Sequence, residues 1–332
     1  MKRFVTPGRL FALGLLLLAV VLVLVVVPSN EYIFLPDPAH PVAPLVSVPG
    51  GHDPAQGGIY FVDVVVRKAT LLEKLFGGLH QGADLYPASE VNPPGVSDAG
   101  RRRIDLEDMQ QSQLVAAAVA EKADGKKVVI ANIGAQVEEV GPGEPAVGKL
   151  EPDDVITAID GVRIKSPADV FRVMTGKRVG STVAFTIRRE TSTLVEHVRT
   201  VADPADKTRP FVGIAIEPAV QIHVPIPVRI DAGGVGGPSA GLAFALEVLQ
   251  QLGRNVVHGH KIAATGEIFP DGTVGAIGGV KQKTYGARKA HVDAFLVPAG
   301  ENAQEARKYA HGLRIIPVEN FQQALHALAT LS

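Results

Sequence analysis

VQIHVPIPVRIDAGGVGGPSAGLAFALEVLQQL, residues 220–252, passes from a strand-like run ending near Ile230, through a glycine-dense loop, into an apolar helix that Ser239 opens and that continues to about Leu252. Three chemistries fit that outline. Ser239 can serve as an N-cap, accepting a hydrogen bond from a backbone N–H of the first turn. The loop can cradle a phosphate, because glycines let backbone N–H groups approach an anion at a helix N-terminus. Ser239 can also be a nucleophile, with the N–H groups of Gly236, Gly237 and their neighbours stabilising an oxyanion. The loop alone does not choose among them. No G-x-x-x-x-G-K-[ST] occurs in the 332 residues, so a Walker-type nucleotide site is missing. His258 and His260 lie in a polar turn, GRNVVHGHK, with no motif around them that marks either as the base of a Ser-His-Asp arrangement.

Downstream, IFPDGTVGAIGGVKQKTYGARKAHV places Gly278-Gly279 before a second helix that carries two lysines. Val280, Lys283, Ala287 and Ala290 fall at i, i+3, i+7 and i+10, on the apolar face, whereas Lys281 shares its side with Tyr285, Arg288 and Lys289. Lys283 is therefore expected to point inward. An amine in an apolar setting has its pKa pushed below the usual value of about 10.4, and the neutral form is a competent general base. The plain alternative is a lysine stem packed along the core with its ammonium in water.

Together these segments resemble the proteolytic domain of Lon, the family of Ser-Lys peptidases. The matching pieces are GGPSAG (236–241), TGEI (265–268) and GTVGAIGGVKQK (272–283), in the family's order. The resemblance implies Ser239 as nucleophile and Lys283, the lysine ending GG-x-x-x-K, as its base, with neither a metal nor an organic cofactor. It also makes Thr265 the hydroxyl that orients the lysine, leaves Glu267 as a weaker candidate, and gives Gly236 and Gly237 supporting places in the loop. Family members usually have Asp immediately before GPSAG, where this chain has Gly236.

Between two such pieces the sequence changes character to short alternating strands and turns. PAVGKLEPDDVITAIDGVRI, followed by PADVFRVMTG and STVAFTIRR, resembles a bacterial PDZ domain over about residues 127–203, with Asp153 where that family has Gly. Upstream, Leu106, Met109, Ala116, Ala120 and Ala123 recur at helical spacing, predicting a helix over 105–123. GIYFVDVVVR (58–67) has strand composition, a helix is expected around Leu71–Leu79, and 86–103 reads as a loop from its breakers. The Arg101–Arg103 run is either a binding patch or a solvated face, and carries no assigned function.

At the N-terminus, 18 uncharged residues over 10–27 follow Lys2, Arg3 and Arg9. As a helix they extend roughly 27 Å, close to the hydrocarbon thickness of a bilayer. No small-x-small cleavage site follows, so an uncleaved anchor is expected rather than a signal peptide. The basic flank would put the N-terminus in the cytoplasm and the catalytic part outside it. The whole chain has 33 basic and 34 acidic residues and 46% apolar residues, with neither Cys nor Trp. Near-neutral charge argues against nucleic acid as partner, and the missing cysteines exclude thiol nucleophiles and Cys-ligated metal.

The expected fold is thus α+β, with an N-terminal transmembrane helix, a PDZ-like β-rich module and a Lon-type proteolytic α/β domain. The expected divisions are a cytoplasmic 1–9, an anchor over 10–27, a Pro- and Gly-rich stalk over 28–57, a first Lon-like part over 58–124, the PDZ-like module over 125–205 and a second Lon-like part over 208–332. The resemblance implies a membrane-held serine endopeptidase that cuts unfolded or flexible protein segments without ATP, with the PDZ-like module selecting them. A homo-oligomeric ring is expected only by resemblance to Lon. The alternatives are a membrane-tethered PDZ adaptor with an inactive protease-like domain, and a small-molecule kinase.

Overall fold

The computed structural model describes residues 7–54, 56–92 and 96–331. Lys2 and Arg3, on which the cytoplasmic placement of 1–9 leaned, lie outside them, as do 93–95 of the expected loop. The chain divides into two compact units, one built from Met1–Val128 with Val224–Ser332 and the other from Val129–His223.

The first helix, α1 (Pro7–Val26), leaves Leu10, Phe11, Leu16 and Leu22 exposed. Among the described residues no helix is long and apolar enough to cross a membrane. The expected anchor over 10–27 is corrected accordingly, and with it the N-terminal transmembrane helix and the single-pass placement. The helix stops at Val26, and Pro28 begins a strand.

The expected stalk is extended but packed. Its first part is strand β1 (Pro28–Pro36), whose Tyr32 and Ile33 are almost fully buried. Next come β2 (Gly58–Phe61), β3 (Val64–Thr70) and β4 (Asp84–Pro87), and β1 lies antiparallel between β3 and β4. Pro and Gly content reads as free chain, yet the apolar residues between the breakers, Val42, Val46 and Val48 among them, are buried. The short helix after β3 covers only Leu71–Leu75 and is opened by a Thr70–Glu73 capping box. Helix α2 (Asp98–Ala123) starts seven residues before the expected 105, because Ser97 accepts the Gly100 N–H and caps it. Such a cap stabilises a helix by about 1 kcal/mol. Arg101–Arg103 are therefore helical and not part of a loop.

In the second unit, β5 (Val129–Val140), β6 (Val155–Ile159), α3 (Pro167–Thr175), β7 (Thr182–Arg189), β8 (Ser192–Arg199) and β9 (Ile214–His223) form a sheet in the order β8-β7-β6-β5-β9. Val137, Ile156, Ile159, Phe185 and Ile187 make its core, with Val170 and Met174 from α3 packed in. Asp153 has φ +70°, the left-handed conformation that favours glycine, and its carboxylate accepts from Gln136 Nε2 at 2.8 Å.

The first unit then resumes with α4 (Gly241–Gln251), β10 (Lys261–Ala264), α5 (Val280–Lys289), β11 (Ala294–Pro298) and β12 (Arg314–Val318). β2, β10, β11 and β12 are parallel neighbours, and the short strand His40–Pro41 adds antiparallel beside β2. α4 is buried along all eleven residues, which is why its sequence is apolar on every side. The register pairs Phe61 with Ala264 at the carboxyl ends of β2 and β10. Asp63 and Thr265 thus leave the sheet at the same edge, where open α/β sheets hold their ligands.

Candidate active site

Ser239 sits in a single 3-10 turn, Pro238–Ala240, that runs into α4. Its side chain caps nothing; the residue in the cap position of α4 is Ala240. This removes the N-cap reading. The Ser239 carbonyl is fixed from two sides, by Thr265 Oγ1 at 3.0 Å and the Gly266 N–H at 2.8 Å. The hydroxyl faces the first turn of α5, where Lys283 Nζ lies 2.6 Å from Ser239 Oγ and 3.2 Å from Thr265 Oγ1.

Lys283 is 4% exposed, on the same buried face as Val280 and Ala287. Burial pushes its ammonium down to about 7, with the nearby Asp63 carboxylate opposing the shift. Hydrogen-bond bookkeeping then orders the protons. Thr265 spends its single O–H on the Ser239 carbonyl, so toward Lys283 it can only accept. A neutral Lys283 that donates to Thr265 has its lone pair left for the Ser239 hydroxyl. Lys281 points elsewhere: its Nζ donates to Asp84 Oδ1 at 2.7 Å and to the Ala83 carbonyl at 3.2 Å. Burial pulls its pKa down, but Asp84 outweighs this and holds it above the ordinary lysine value.

The glycine loop is held by α2. Arg102 Nη2 donates to the Gly234 carbonyl at 2.6 Å, Gly237 N–H donates to the Asp105 carbonyl at 2.6 Å, and Ser112 Oγ donates to the Pro238 carbonyl at 3.0 Å. A Cβ on Gly236 would lie 2.7 Å from Asp105 Cβ. The space an aspartate would need at 236 is already filled by the aspartate of α2, which gives a steric reason for Gly236. The same contact bears on the oxyanion donors. Gly237 N–H is engaged and Pro238 has none, so neither offers a free N–H to an oxyanion.

Ser239 and Lys283 open onto a cavity of about 720 Å³ whose wall includes Val62, Asp63, Phe34 and Met109. Gly236 and Gly237 line it, whereas Thr265 stands behind the serine–lysine contact. Glu267 belongs to the short strand Glu267–Ile268 and lies outside the wall, its carboxyl raised by burial and then by Asp108. His258 and His260 are not in it either.

Sequence reasoning missed Asp63. Its Oδ1 is buried with no hydrogen-bond partner among the described residues, 3.9 Å from His40 Nε2, which is itself 2.9 Å from Asp37 Oδ2. Burial first, and Asp37 second, raise the Asp63 carboxyl, while His40 and Lys283 lower it. The three side chains offer ligand atoms within 4.8 Å of one another. The available signal was a lone acid inside the apolar run FVDVVV (61–66).

Residues 207–330 match the Lon protease (S16) C-terminal proteolytic domain, and residues 104–199 match the PDZ domain. The chain therefore carries one domain of each kind, in an α+β architecture. The Lon protease of Clostridioides difficile (strain 630) is 32% identical over 149 residues, 43% of this chain and 17% of its own length. The Lon protease of Chloroflexus aggregans is 28% identical over 247 residues, 69% of this chain and 28% of its own length. The chain spans less than a third of the length of these relatives. Among solved structures, the PDZ domain of an SdrC-like protein from Listeria innocua shares 31% identity, covering 25% of this chain and 92% of that chain with a TM-score of 0.24.

Proposed function

We propose that the chain is a serine endopeptidase of Lon type that hydrolyses unfolded or flexible protein segments without ATP. The observation that carries this reading is the 2.6 Å contact between Ser239 Oγ and a buried Lys283 whose pKa is pushed down to about 7. Neutral Lys283 takes the Ser239 proton as Oγ attacks the scissile carbonyl, giving a tetrahedral intermediate, and Lys283 then returns a proton to the leaving amine. Water next attacks the acyl-enzyme by the same route and frees Ser239 Oγ. The PDZ-like unit selects substrate segments by strand addition. ATP independence is part of this reading and is put to the test directly by the nucleotide-free assay.

The test is cleavage of a permanently unfolded protein by the purified chain in nucleotide-free buffer. Wild type and Lys281→Ala are both expected to cut, the variant at more than about half the wild-type rate, because Lys281 is turned to Asp84. Loss of cleavage in Lys281→Ala would place the base on the other lysine, and a strict ATP requirement would contradict the ATP-free reading.

The pH dependence follows from the same amine. Lys283 works as a base only when neutral, so kcat/KM should climb with pH through about 7 and then level off. The Asp63 carboxylate favours the ammonium, so Asp63→Asn should move that midpoint to lower pH. A midpoint that moves upward in Asp63→Asn contradicts the assignment of Lys283 as the base.

A further inference from the structure

The cavity wall contributed by α2 carries Arg101, Asp105 and Met109, spaced four residues apart on one helix face, together with Arg102. Their partners differ. Arg102 is committed to the Gly234 carbonyl. Arg101 is not: it stacks over the ring of buried Tyr32 at 5.0 Å, its Nε is buried without a hydrogen-bond partner among the described residues, and its nearest carboxylate there, Asp105, stands 4.0 Å away. Its side chain is only 21% exposed. A guanidinium oriented by an aromatic face, partly stripped of water and short of acceptors is arranged to take a planar anion through paired N–H groups.

The other carboxylates in the wall do not supply one. Asp63 lies beside His40 and acts on Lys283, and Glu90 is exposed. Asp98, one turn before Arg101, accepts from Tyr32 and Asn92 and pairs with Lys68. Asp105 is aligned with Arg101 only through Nε, at a distance too long for a hydrogen bond.

Resting on the peptidase reading above, we propose that Arg101 is a specificity-determining residue that binds a carboxylate of the substrate. Its place along α2 sets the distance. The Asp105 carbonyl touches Gly237, two residues before the nucleophile. Arg101 is one turn further along, about 6 Å from Asp105 and about 12 Å from Met109. At about 3.3 Å per extended residue, the carboxylate belongs two to four residues from the scissile bond. Two sources share this chemistry, an acidic side chain and the free C-terminus of a chain cut near its end.

The experiment uses the full chain and peptides that differ only at positions two to four on either side of the cleaved bond, carrying Glu, Gln or Lys. A parallel set places a free or amidated C-terminus at the same distances. Wild type is expected to favour a carboxylate at one position by about tenfold to a hundredfold in kcat/KM. Arg101→Gln is expected to bring that ratio close to one, and Arg101→Glu to turn the preference toward Lys, an inversion that misfolding does not produce. A preference that follows the free C-terminus and vanishes on amidation assigns the carboxylate to the chain end; one that follows Glu assigns it to a side chain. Cleavage without any carboxylate preference, or a preference that persists in Arg101→Gln, overturns the role of Arg101 and leaves the peptidase reading standing. Failure of wild type to cut any peptide or unfolded protein overturns both.

Discussion

Ser239→Ala and Lys283→Met should each lower cleavage of an unfolded protein by about a thousandfold or more, and the double variant should lose little beyond either single change. The non-additivity follows from the geometry. The serine hydroxyl is a weak nucleophile without a base, and the lysine has nothing to activate without the hydroxyl 2.6 Å away. The two variants should part company in stability. Between the folded pKa of about 7 and the unfolded value near 10.4, the unfolded chain binds a proton at residue 283 that the folded chain releases. Stability therefore rises with pH across that window, and at neutral pH the buried amine weakens the fold. Lys283→Met keeps the stem and removes the amine, so its thermal midpoint should rise by a few degrees while activity vanishes. Ser239→Ala should change the midpoint little. A Lys283→Met protein that melts lower than wild type would show that the amine contributes stability rather than costing it.

The second large effect is structural. Gly286 lies in α5, three residues after Lys283, and a Cβ there would be 2.0 Å from the Asp37 carbonyl oxygen and 3.2 Å from its carbon. The Ala39 N–H also donates to the Gly286 carbonyl, at 3.3 Å, so the chain over 37–39 lies directly on the helix. Alanine in place of glycine favours an isolated helix by about 1 kcal/mol. Here the overlap with backbone outweighs that gain, since neither backbone can give way as a side chain would. Gly286→Ala should destabilise the chain by about 2–4 kcal/mol in denaturant titration. Activity should fall with it, because the displaced segment carries Asp37 and leads to His40, while the helix carries Lys283. An unchanged or higher unfolding midpoint would mean that the 37–39 segment yields freely.

What the sequence could disclose depended on whether one segment contained the information. The inward face of α5 is legible because Val280, Lys283 and Ala287 lie within two helical turns, and the 3.6-residue period alone sorts Lys283 from Lys281. That the glycine loop borders the site of Ser239 is legible for the same local reason. The cavity wall is not. Asp63, Arg101 and Ser239 are separated by dozens to more than a hundred residues, and only the parallel pairing of β2 with β10 and the packing of α2 against the loop bring them to one edge. Arg101–Arg103 read as a loop because breakers precede them, although one serine, Ser97, suffices to start the helix there. The Pro-rich 28–57 stretch read as free chain because its buried valines are spaced between prolines and show no period. The anchor expectation failed differently: a count of uncharged residues suggested a span, but among the described residues no helix is long and apolar enough to cross a membrane.

The most direct test of the Ser239–Lys283 pairing is covalent capture of the nucleophile. The full chain is treated with a serine-directed fluorophosphonate across pH 5.5 to 9, and the modified residue is located by peptide mass mapping. The predicted result is a single adduct on Ser239 whose rate of formation rises through about pH 7 and which does not form in Lys283→Met. An adduct on another residue, or equal labelling of Ser239 in wild type and Lys283→Met, would contradict the pairing.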